Sequence, residues 1–144
     1  MASYSYSITY GDWVGTITIN YTTSYNSISN QTTVIFSDMS WAYFGKKGWG
    51  TSASSTITVT AADNTSASGS TSASTSGSTN GGTKTFTATP NPSSITVSHG
   101  SAAGTKSVNI SISSSIFVNP TPGGSQQYTI TGSSSTTAAS GTYA

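Results

Sequence analysis

The chain contains no cysteine, no arginine and no glutamate, and only 5% of its 144 residues are charged. Without cysteine there is neither a disulfide framework nor a thiolate metal site. Four lysines against three aspartates leave a net charge of +1. That is too little for a surface that tracks phosphates, so nucleic acid is not an expected partner. A single histidine, His99, and three scattered aspartates, Asp12, Asp38 and Asp63, make no convincing ligand set, and neither a metal nor a cofactor is expected. No apolar run approaches the ~20 residues that span a bilayer as a helix, so no membrane insertion is expected. Residues 1–6 lack both the basic and the apolar region of a secretory signal, which implies synthesis in the cytoplasm without export by that route.

What is present is serine, threonine, asparagine and glycine, with 33% hydrophobic residues arranged in alternation. Tyr4, Tyr6, Ile8 and Tyr10 share one parity. After a Gly11-Asp12 turn, Trp13, Gly15, Ile17, Ile19 and Tyr21 continue it, predicting a hairpin of residues 3–10 and 13–22. Residues 23–31 read as a polar loop, and Val34-Ile35-Phe36 as a short strand buried on both sides. Ile57 and Val59 mark a further strand. Ile95 and Val97, then Val108, Ile110 and Ile112, alternate on either side of a connection bearing Gly100 and Gly104, which predicts a second hairpin. Tyr128-Thr129-Ile130 is another strand, and residues 132–144 a polar edge.

No helical periodicity accompanies these runs, and Pro90-Asn91-Pro92 and residues 119–124 form rigid corners. The expected fold is all-β: an antiparallel, immunoglobulin-like β-sandwich of about seven to nine strands. One domain over residues 1–144 is expected, because splitting it at the low-complexity segment 64–83 leaves halves too small to fold alone. That segment is then a long loop or a polar edge strand. The expected inward-facing set is Ile17, Ile19, Phe36, Ile57, Val59, Val108, Ile110 and Ile112.

Catalysis has little raw material. A nucleophilic serine would need His99 and an orienting aspartate, and Asp12 and Asp63 read as turn and cap residues, so no enzyme is expected. The best binding candidate is the aromatic segment 41–49, where Trp41, Tyr43 and Trp49 flank Lys46 and Lys47. Exposed aromatics stack on sugar rings, which suggests a carbohydrate-binding adhesion module for host-surface glycans. The competing and heavier reading is a core tryptophan beside a lysine-bearing tip that deters edge pairing.

Two stretches also resemble a known family. His99 followed by Gly104-Thr105-Lys106-Ser107-Val108 and an alternating strand resembles a hairpin in small immunoglobulin-like domains of tailed-phage virion proteins, mainly tail proteins of phages infecting Gram-positive hosts. Ala103 and Gly100 replace that pattern's turn aspartate and asparagine. Residues 25–34 are similar to the same family's asparagine- and serine-rich loop leading into a core strand. The resemblance implies a non-enzymatic virion structural protein, tail-associated or capsid-decorating. It would be extracellular after host lysis, with copies of itself and other virion proteins as partners. A subunit of a bacterial surface filament is a further reading. So few charges leave little repulsion between copies. The expected assembly contacts are the first strand, with Tyr4 and Tyr6, and the polar C-terminal segment, because terminal strands can add to a neighbour's sheet edge.

Overall fold

The computed structural model describes residues 2–10, 13–45, 49–76, 82–119 and 128–143. They form ten strands: β1 (Ala2–Tyr10), β2 (Trp13–Asn26), β3 (Gln31–Phe36), β4 (Met39–Gly45), β5 (Trp49–Ala61), β6 (Asn64–Ser76), β7 (Gly82–Ala88), β8 (Ser94–Ser98), β9 (Gly104–Asn119) and β10 (Tyr128–Tyr143). All pairings between them are antiparallel. One sheet contains β7, β4, β2, β3 and β8, with β1 added to β2; the other runs β10-β9-β5-β6. The protein is an all-β antiparallel sandwich.

Ten strands exceed the expected seven to nine because two ribbons are broken. β3 pairs with residues 21–26 of β2 and β4 with residues 14–18, so the two lie end to end along one neighbour. β8 and β7 continue this arrangement against β3 and β4. The joints are stitched by Ser37 N–H donating to Asn20 O (3.0 Å) and Phe36 N–H donating to Ser93 O (2.7 Å). The larger sheet is therefore four ribbons wide, like the smaller one.

The expected inward set is buried throughout: Ile17, Ile19, Phe36, Ile57, Val59, Val108, Ile110 and Ile112 all belong to one core cluster shared by both sheets. Alternation along each strand sends the β-branched residues in and the hydroxyls out. The two rims close through glycine. At β10, a Cβ on Gly132 would lie 2.3 Å from Ile8 Cγ2 of β1; at β6, one on Gly69 would lie 2.7 Å from Ile95 Cγ2 of β8. Only a residue without a side chain admits so close an approach.

Several expectations are corrected. β8 and β9 form no hairpin: β8 pairs with β3, whereas β9 pairs with β5 and β10 in the opposite sheet. The connection through Gly100 (φ 86°) and Gly104 (φ 119°) crosses from one sheet to the other. Periodicity specifies the buried face of a strand but not its partner, and both strands do bury their apolar faces. The loop expected at 23–31 is shorter, because β2 extends to Asn26 and leaves a turn at residues 27–30. Ile35 is 45% exposed, so Val34-Ile35-Phe36 alternates like its neighbours and is not buried on both sides. β6 is a polar edge strand, and β10 runs through most of the expected C-terminal edge.

Candidate functional site

Of the aromatic segment, Trp41 is the residue whose side chain is described, and it is fully buried in β4. Its indole N–H donates to Ser55 Oγ (2.8 Å), which bonds Ser114 Oγ (2.6 Å). It therefore presents no face to a sugar, a correction to the glycan reading at this position. Tyr43 and Trp49 lie in β4 and β5, their side chains outside the described set; Lys46 and Lys47 lie outside the described residues altogether.

Tyr4 and Tyr6 are corrected as well. β1 pairs with β2 in a register that turns both rings inward, half-buried against the core. The Tyr6 hydroxyl donates to Ser114 Oγ (2.6 Å), and the Tyr4 hydroxyl bonds Ser134 Oγ. Burial pushes the Tyr6 phenol pKa up, with the Ser114 bond opposing it. These tyrosines tie β1 to β9 and β10 within one chain. The outward residues of β1 are Ser3, Ser5, Ser7 and Thr9.

A second polar cluster sits at the end of the sandwich where the chain crosses between sheets. The Asp63 carboxylate accepts from Lys106 Nζ through Oδ2 (2.6 Å) and faces His99 Nδ1 through Oδ1 (3.1 Å). The far side of the imidazole, Nε2, lies 2.6 Å from Thr32 Oγ1. Thr32 donates to Ser140 Oγ (2.9 Å), and Ser140 donates to the Lys106 carbonyl (3.2 Å). The imidazole thus bridges the Asp63 carboxylate on one side and the Thr32 hydroxyl on the other.

The side chains of His99 and Lys106 are 0% and 3% exposed and that of Asp63 is 32% exposed. Burying a lysine and a histidine would be costly without this anion, and their two bonds to the Asp63 carboxylate offset that cost. The bond from Lys106 holds the Asp63 pKa below the usual carboxylate range.

The β2–β3 turn docks on the same cluster. Buried Asn30 adopts φ 51° in the left-handed region that asparagine tolerates. Its Nδ2 donates to Gly100 O (2.7 Å), its Oδ1 accepts from Tyr25 OH (2.6 Å), and its carbonyl accepts from His99 N–H (2.9 Å). Tyr25 in turn packs against Gly141 of β10, where an added Cβ would lie 2.3 Å from the ring.

Carboxylate, imidazole and hydroxyl in sequence is the order of a hydrolytic triad. Thr32 is nevertheless 0% exposed, and three surface depressions are lined by other residues. A hydroxyl that no substrate reaches serves packing. Asp63, taken as a turn residue, does occupy a turn, but its carboxylate is the hub of this cluster; spacing in the chain carries no sign of that. The hint available was the resemblance, whose quoted stretches contain Asn30, Thr32, His99 and Lys106.

Among the described residues no three His, Cys, Asp or Glu side chains gather, and no helix is long and apolar enough to cross a membrane. No protein-family model matches the chain, and no curated protein matches it.

Proposed function

We propose that the chain is a non-enzymatic structural module of a phage virion, immunoglobulin-like and either tail-associated or capsid-decorating, that works by docking on copies of itself and on other virion proteins. The observation that carries this reading is a convergence. The two stretches that resemble tail-protein domains lie some seventy residues apart in the chain, yet their polar residues interlock: Thr32 bonds His99, and Asn30 bonds Gly100 (2.7 Å). Residues that hold a fold together are the ones a fold signature consists of.

With Tyr4 and Tyr6 engaged inside the chain, docking falls to the outer edge of β10. This long edge strand contains no charged residue and so lacks the usual deterrent to strand addition. Mass spectrometry of gradient-purified, salt-washed particles tests the reading. Peptides of this chain in amounts comparable to integral virion proteins are the expected result. Recovery of the chain in the soluble lysate and not in particles would refute it.

A further inference from the structure

The outward face of the β10-β9-β5-β6 sheet has a regularity that docking through an edge does not use. Its outward positions are the even residues 68–74 of β6 and 54–60 of β5, and the odd residues 109–115 of β9 and 131–137 of β10. Every one is serine or threonine except Asn109, and none is charged. The registers place them directly opposite one another. Ser72, Thr56, Ser113 and Ser133 form one row of four across the sheet, and the other positions repeat it. The row spacing along a strand is ~6.7 Å and the strand spacing ~4.8 Å, so the array covers roughly 14 by 20 Å.

Two open depressions lie on this face. One of about 300 Å³ is floored by hydroxyls of β5, β9 and β10, including Thr56, Thr58, Ser111 and Ser113. The other, of about 540 Å³, adds the ring of Phe117 to serines of β5, β6 and β9.

Within the array Thr137 Oγ1 donates to Asn109 Oδ1 (2.9 Å). The opposite face of the sandwich carries more such pairs. There hydroxyls bond one another in pairs, Ser5 with Thr18 (2.8 Å), Ser7 with Thr16 (3.1 Å) and Thr33 with Thr96 (2.8 Å). Val14 and Ile35 interrupt them.

We infer that the hydroxyl face of the β10-β9-β5-β6 sheet binds a neutral polysaccharide chain. A repeated lattice of neutral donors and acceptors matches a polymer that repeats hydroxyls along its length. The absence of charge disfavours anionic polymers, which would lose hydration without gaining a cationic partner. The array is several strands wide, so it fits a chain of sugars and not a single one, with each residue adding a weak neutral bond. This inference is independent of where on a particle the module sits, and it does not use the aromatic segment 41–49.

Affinity electrophoresis of the full chain in gels containing dextran, hydroxyethylcellulose or soluble mannan tests it, with polygalacturonate as the anionic comparator. Retardation by at least one neutral polymer, undiminished in molar salt, is expected. Replacing Thr56 and Thr58 with valine and Ser111 and Ser113 with alanine keeps strand propensity and removes four central hydroxyls. It should weaken retardation about tenfold or more. The matching change of Ser5, Ser7, Thr16 and Thr18 on the other face should leave retardation intact, and circular dichroism confirms that both variants fold. No retardation by any neutral polymer, retardation by polygalacturonate alone, or equal loss in both variants would overturn the proposal.

Discussion

Asp63→Asn is the single change that probes the polar end of the sandwich most sharply. It keeps the side-chain shape and removes the charge that faces Lys106 Nζ at 2.6 Å and His99 Nδ1 at 3.1 Å. The Lys106 and His99 side chains are 3% and 0% exposed, so neither can turn to water without moving its strand end. Stranding one member of a buried pair costs about 3–5 kcal/mol. The Asp63 side chain is 32% exposed, so water replaces part of what is lost, and the expected cost falls to about 2–3 kcal/mol. In a chain of this size that lowers Tm by roughly 6–12 °C.

Urea unfolding followed by tryptophan fluorescence measures it, with Asp38→Asn as the control. Asp38 is an exposed carboxylate that accepts from Thr89 Oγ1 (2.5 Å), and its loss should stay within about 0.5 kcal/mol. Adding Lys106→Met to Asp63→Asn removes the stranded cation, so the double variant should lose less than the sum of the singles, by about 1 kcal/mol or more. The pH dependence has a definite sign. A carboxylate whose pKa is depressed on folding contributes stability above its unfolded pKa and loses it as pH falls through the folded value. The gap between wild type and Asp63→Asn should thus persist near pH ~4 and close below it. An Asp63→Asn variant no less stable than Asp38→Asn would refute this account of the cluster.

Three further outcomes are expected. Gly132→Val forces a side chain into Ile8 across the rim and should cost about 1–3 kcal/mol in urea unfolding. Trp41→Phe removes the donor to Ser55 in the core and should cost about 1–2 kcal/mol, with an emission change that identifies the buried indole. Deleting residues 1–6 strips two half-buried tyrosines and their bonds to Ser114 and Ser134, and should destabilise the isolated chain by roughly 3 kcal/mol or more. A deletion that affected assembly and left stability unchanged would restore Tyr4 and Tyr6 to an intermolecular role.

Faces were far more legible in the sequence than partners. Alternation alone identified the inward sets of β2, β5 and β9, because a two-residue period leaves one face apolar. It could not show that β8 and β9 belong to opposite sheets, since a crossing connection and a hairpin return both use glycine at positive φ. Nor could it show that β3 and β4 form one broken ribbon, because that depends on β2 being long enough to serve both. The polar cluster was the least legible part. Asp63, His99 and Thr32 are brought together by three different loops and strands, and in so serine-rich a chain a hydroxyl near the one histidine carries no information beforehand. Trp41 shows the same limit from the other side: an aromatic beside lysines reads as core more readily than as a sugar platform, but only packing, which buries it fully, decides.

The central claim, a structural role on a virion, is tested most directly by immunogold electron microscopy of purified particles. Antibodies raised against the exposed β2–β3 turn, where Ile28 is 92% exposed, suit the purpose. Gold at one repeated position on the tail or capsid is the predicted result. Gold confined to host cell debris or to the soluble fraction, with particles unlabelled by this serum and by a second serum raised against the whole chain, would contradict it.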